Sequence, residues 1–84
     1  MKSIDAIRIR LKQLIKEKGT NYNDLANRSG VTASTIKTIF YYKPTRSTTV
    51  YTLSLLCGGL GITLYDFFND DIFKNIDELE YASR

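Results

Sequence analysis

Wound as a helix, the stretch "VTASTIKTIFY" places Ala33, Ser34, Lys37, Thr38 and Tyr41 on one side. Ile36, Ile39 and Phe40 take the other side through i, i+3, i+4 spacing. Short hydroxyls beside one cation and no acid can donate and accept hydrogen bonds at close range. They are not arranged for nucleophilic catalysis. The chain has no histidine, which excludes Ser-His-Asp and Cys-His chemistry, histidine proton shuttles and histidine metal sites. A merely solvated helix surface usually carries long charged residues, whereas Ser and Thr are indifferent helix formers. Such a face is built to be matched against a surface outside the protein.

Other groups with chemical potential have structural readings. Cys57, the single cysteine, lies between Leu56 and Gly58 on an apolar helix face and is expected as a small buried hydrophobe. "GGLG" at Gly58–Gly61 is followed by no lysine and sits at a helix end, so it is not a phosphate loop of the Walker kind. Asp70 and Asp71 adjoin a helix start, where a carboxylate caps backbone amides more readily than it does acid–base work. No enzyme, metal or cofactor is expected.

Charge layout adds a partner class. From Met1 to Arg46 there are ten Lys/Arg against three Asp/Glu; from Ser47 to Arg84 there are two against six. The net charge of +3 therefore hides a basic half and an acidic half. A basic half can supply sequence-independent attraction to phosphates, the alternative being a solvated basic helix face. One cysteine forms no internal disulfide, and charges interrupt the apolar residues of "MKSIDAIRIRLK", unlike a signal peptide. "YTLSLLCGGLGITLYDFF" approaches the length of a membrane span, but glycines and hydroxyls divide it into two helical patterns. The expectation is a cytoplasmic chain with no membrane partner.

The elements that must carry the hydroxyl face follow from periodicity. Ile4, Ile7, Leu11, Leu14 and Ile15 form one stripe of a first helix reaching Lys18, with Ser3 as N-cap, Gly19 as stop and Arg8, Arg10, Lys12 and Lys16 mostly off the stripe. Asn21 caps a second helix, Tyr22 to about Arg28, with Leu25 and Ala26 inward. Gly30 and Val31 make a turn, and Thr32 caps a third helix ending near Phe40 or Tyr41. "YYKPTRSTT" is a loop. Ser47 or Thr48 caps a fourth helix with Val50, Leu53, Leu56 and Cys57 inward; Gly61 stops it, and Thr63 caps a fifth with Leu64, Phe67 and Phe68 buried. The chain is thus expected to be an all-α bundle of five helices, a domain over residues 1–68. An acidic amphipathic tail follows over 69–84. Its Ile72, Phe73, Ile76 and Leu79 either add a helical turn packed on the same domain or make a dimer contact.

Two separated motifs carry a resemblance. "NYNDLANRSGVTASTIKTIF" and "LSLLCGGLGITLYDFF" are similar, in order and spacing, to the second and third and the fourth and fifth helices of the phage repressor and Cro-like (XRE) helix-turn-helix family. The resemblance spans about Ile4 to Phe68. It implies a helix starting at Thr32 that docks in the major groove of double-stranded DNA, with Ala33, Ser34, Lys37 and Thr38 toward base edges. Tyr22, Thr32, Tyr41, Lys43 and Arg46 then match positions that grip the DNA backbone. The chain departs from the family where relatives often carry glutamines, having Tyr22 and Ala33, and "YYKP" replaces the usual Asn-Gly or Arg-Gly. With no Arg, Asn or Gln on the reading face, base discrimination is expected to be modest and DNA shape to contribute.

The resemblance implies a small transcriptional regulator of the repressor kind, bound as a homodimer to a near-palindromic operator with half-sites roughly 34 Å apart. Control would come from occupancy, a protein partner or a sensor. The alternative on the same fold is an antitoxin-like or adaptor module for protein–protein interaction, for which the tyrosines Tyr22, Tyr41, Tyr42 and Tyr51 would be suitable contacts.

Overall fold

Local capping chemistry sets the element boundaries in the computed structural model, which describes residues 1–41 and 48–77. Asn21 accepts a hydrogen bond from the Asp24 amide (2.9 Å) and starts α2, Tyr22–Ser29. Thr32 does the same for the Thr35 amide (3.2 Å) at the head of α3, Ala33–Tyr41. Between them Gly30 adopts φ +76°, a conformation that costs an L side chain energy but a glycine little. These two short helices joined by a left-handed residue are the predicted pair. Before them runs α1, Ser3–Glu17; after them come α4, Val50–Leu60, α5, Leu64–Phe68, and a 3₁₀ turn, Asp71–Asn75. No strand occurs among the described residues. No described helix is long and apolar enough to cross a membrane.

The core is the meeting of the expected stripes. Ile4, Ile7, Leu11, Leu14 and Ile15 of α1 pack with Leu25 of α2, Val31, and Ile36 and Ile39 of α3. Leu53, Leu56, Cys57 and Leu60 of α4 and Phe67 of α5 complete the cluster. The Cys57 thiol is pushed up by burial and by the Asp66 charge, with Arg10 opposing, so it stays protonated and behaves as an apolar side chain.

Several expectations need correction. Val50 is 67% exposed, so the inner stripe of α4 begins at Leu53. The cap of α4 is Thr49, whose Oγ1 accepts from the Thr52 amide (3.1 Å), rather than Ser47 or Thr48. Val50, the first residue of α4, stands at the helix end outside the core cluster. Phe68 is 41% exposed because α5 presents one edge, not two, to the core. Ser3 is the first helical residue of α1, and Lys2 holds the cap position without a side-chain bond. The tail does add a turn on the same domain, but a 3₁₀ one. Its Phe73 lies 5.9 Å from the Phe67 ring and 4.9 Å from the Phe68 ring. Asp70 caps it, accepting from the Ile72 amide (3.0 Å), as its position suggested.

Helices α2 and α4 cross so closely that Gly59 is required. A Cβ there would stand 2.9 Å from the Ser29 Cβ and 3.1 Å from the Ser29 amide nitrogen. Ser29 is buried, and its Oγ accepts from the Val31 amide (3.2 Å), so it cannot retreat without disturbing the turn into α3. Gly59→Ala should therefore cost about 1–2 kcal/mol, overpacking outweighing the better helix propensity. Gly58→Ala, facing open space one residue earlier, should gain about 0.5–1 kcal/mol. Urea unfolding of the two variants would check the opposite signs.

At the head of α5, Thr63 and Asp66 form a reciprocal capping box, with the Thr63 amide donating to Asp66 Oδ2 and the Asp66 amide donating to Thr63 Oγ1, each at 3.1 Å. The Thr63 amide chiefly, then its hydroxyl and the Arg10 and Lys18 charges, hold the Asp66 carboxyl below its usual range. Because the folded carboxyl titrates below the unfolded one, its stabilisation is complete above the unfolded pKa of about 3.9 and fades as pH falls through the folded value. Asp66→Asn should flatten the acid side of the pH–stability curve and leave its neutral side parallel to wild type, as thermal melts from pH 7 to pH 2 would record.

Candidate nucleic-acid interface

Each end of α3 is held by other parts of the fold, and its outer face is left to solvent. Ile36 and Ile39 are buried and Phe40 is half-buried against α2, its ring 5.0 Å from that of Tyr22. On the opposite side Ser34, Lys37 and Tyr41 are exposed, and Ala33 and Thr38 are half-buried. The predicted reading residues are thus brought together on one surface. Thr32 is exposed at its head.

Hydrogen bonds decide what each hydroxyl can offer. Thr38 Oγ1 donates to the Ser34 carbonyl (2.9 Å), which leaves its lone pairs outward and makes it an acceptor. The Thr32 and Thr35 hydroxyls pair at 2.9 Å, so one of them remains a donor. Among the described residues, Ser34 Oγ has no internal partner and Lys37 makes no ion pair. The surface therefore presents a cation, a versatile hydroxyl and a directed acceptor within two helical turns.

Tyr22 is only partly open to solvent. Its ring is half-buried on Phe40, and its hydroxyl bonds that of Tyr41 across the α2–α3 junction. Burial chiefly, and then the Tyr41 hydroxyl, push the Tyr22 phenol up, so it remains a neutral donor. The two tyrosines expected at backbone-gripping positions thus form one unit at the edge of the face. Lys43, Arg46 and Tyr42 lie outside the described residues.

The cations of α1 divide into two kinds. Lys12 and Lys16 are exposed, as the pattern suggested. Arg10 instead turns inward, donating from Nε to the Phe67 carbonyl (2.8 Å) and from Nη2 to the Asp66 carbonyl (2.9 Å), with Asp70 at 3.4 Å. Arg8 donates from Nε to the Ile39 carbonyl of α3 and from Nη1 to Asp5 (3.3 Å). Sequence periodicity missed both roles. The Asp5–Arg8 spacing of three was the one local signal that Arg8 is held within the protein.

The chain as a whole fits a known pattern. A family model described as the Cro/C1-type HTH DNA-binding domain matches residues 10–71. Among solved structures, the wild-type restriction–modification controller protein C.Esp1396I is similar, with a TM-score of 0.72 at 27% identity over 84% of this chain and 90% of that one. Its tyrosine-to-phenylalanine variant gives 0.72 at 27% identity, covering 84% and 91%. A tyrosine-to-alanine variant gives 0.73 at 27% identity, covering 86% and 95%. No curated protein matches the chain. With the capped helix pair, the left-handed turn and the open outer face of α3 in place, and more than half its length matched, the chain belongs to the Cro/C1-type helix-turn-helix DNA-binding family.

Proposed function

We propose that the chain is a small transcriptional regulator that binds operator DNA as a homodimer, with α3 in the major groove. The observation that carries this reading is the outer face of α3, where Ser34 and Lys37 stand exposed without an acid beside them. Lys37 reaches guanine O6 or N7, Thr38 accepts from an exocyclic amine, Ser34 bonds either base type, and Ala33 meets a thymine methyl. Tyr22, Thr32, Tyr41, Lys43 and Arg46 contact the sugar–phosphate backbone and set register. The similarity to a restriction–modification controller protein supports regulation as the biological setting.

Self-association is better served by α5 than by the tail. Ile72 and Ile76 are half-buried, Phe73 is engaged with Phe67 and Phe68, and Leu79 lies outside the described residues. Tyr65 (76% exposed) and Phe68 border an open groove of about 400 Å³ with Leu64 and Asn69. Aromatic residues of this kind are enriched in interface cores, and a second copy of the chain meeting here would supply the two-fold axis an operator dimer needs.

Selection of preferred sites from a random duplex pool, followed by binding of variants, tests the reading. Lys37→Ala should alter the preferred sequence. Lys43→Ala and Arg46→Ala should weaken all duplexes evenly and lower the salt slope by about 1 each. Absence of any duplex binding at about 50 mM salt would favour the protein-interaction module instead.

A further inference from the structure

We propose that Arg8, on a helix that does not itself read DNA, is the positioning residue of the reading helix. The inference rests on α3 reading DNA as proposed above. Its observation is a contact between residues 31 apart in sequence: Arg8 Nε donates to the Ile39 carbonyl in the last turn of α3. That carbonyl is among the four a helix leaves without an intrahelical donor, and it carries the negative end of the helix dipole. A guanidinium is matched to it in both charge and hydrogen bonding.

Burial makes the contact selective. The Arg8 side chain is only 17% exposed, and Asp5 Oδ1, 3.3 Å from Nη1, orients the other arm of the fork. An arginine so placed turns its donors toward its own fold rather than a phosphate. The head of α3 is fixed separately, by the Thr32 cap and by the turn in which Ser29 Oγ receives the Val31 amide. Arg8 fixes the other end. Nine residues of helix extend about 13 Å, and positioned contacts tolerate displacements of about 0.5 Å. Lys37 and Thr38 sit beside Ile39, so slippage at the end Arg8 holds moves the readers directly.

The role separates from a phosphate contact by experiment. Arg8→Met removes every donor, whereas Arg8→Lys keeps the charge and loses the fork. Full-length wild type and both variants would be titrated with the preferred duplex selected above and with a scrambled duplex, across a salt series. The expected result is an affinity for the preferred duplex about tenfold lower in each variant, with scrambled-duplex affinity and salt slope unchanged. Equal weakening of both duplexes by Arg8→Met, with the slope lower by about 1 and Arg8→Lys near wild type, would make Arg8 a phosphate ligand and overturn the proposal. Unchanged preference in both variants would overturn it as well. Wild type failing to bind any duplex would instead overturn the DNA-binding reading and this role with it. Should Arg8→Met not fold, Arg8→Lys and the wild-type Arg8 Nε–H resonance carry the test: slow exchange with solvent in free and DNA-bound protein is expected, and fast exchange in either state refutes the contact.

Discussion

Phe67→Ala is expected to remove about 3–5 kcal/mol of stability, the range for truncating a buried aromatic side chain. Phe67 is fully buried, its ring centred 5.1 Å from Phe68 and 5.9 Å from Phe73, and its carbonyl receives Arg10 at 2.8 Å. It joins α1, α4, α5 and the 3₁₀ turn at one point. A domain of 84 residues is stabilised by roughly 4–13 kcal/mol in total, so the loss consumes much of that margin. Thermal melts followed by circular dichroism should show a midpoint lowered on the order of 20 °C. Phe68→Ala should behave differently. Phe68 keeps 41% of its surface exposed, so its removal, which loses the ring contacts to Phe67 and Phe73, should cost less in the monomer, about 1–2 kcal/mol, while weakening self-association. Sedimentation at several concentrations would separate the two phenotypes. Equal destabilisation by both would contradict the assignment of Phe68 to the groove.

The contrast between these neighbours shows what the sequence made legible. Asn21, Gly30, Thr32, Gly61 and Thr63 were recognisable as boundaries because capping depends on residues three or four positions apart. The stripes of α1 and α3 were legible for the same local reason. Val50 and Phe68 were misplaced because periodicity identifies a helix face but not how much of it a neighbouring helix covers. The inward turns of Arg8 and Arg10 were illegible for a stronger reason. Their acceptors are carbonyls 31 and 57 residues away, and every residue carries a carbonyl, so no side-chain pattern marks which one will be met. The candidate site fell between these cases. Its members were readable as one helix face, whereas the donor or acceptor character of Thr38 depended on a back-bond to Ser34 and the pairing of Tyr22 with Tyr41 on how α2 meets α3.

Ser34→Glu should separate fold from function most sharply. Ser34 is exposed at the second position of α3, where a carboxylate is favourable to the helix dipole by about 0.3–1 kcal/mol. The variant should therefore melt at or slightly above the wild-type temperature. Against DNA the same carboxylate would stand in a groove walled by phosphates, on a face whose one cation is Lys37. Like-charge juxtaposition across an interface costs several kcal/mol, so duplex affinity at low salt should fall on the order of 100-fold. The deficit should shrink as salt rises, because screening weakens the added repulsion along with the attraction. Stability and affinity thus move in opposite directions, which no loss of folding can imitate. Fluorescence anisotropy with a labelled duplex, beside thermal melts of the same preparation, measures both. Retained duplex binding by a folded Ser34→Glu protein would place the DNA elsewhere than on the outer face of α3.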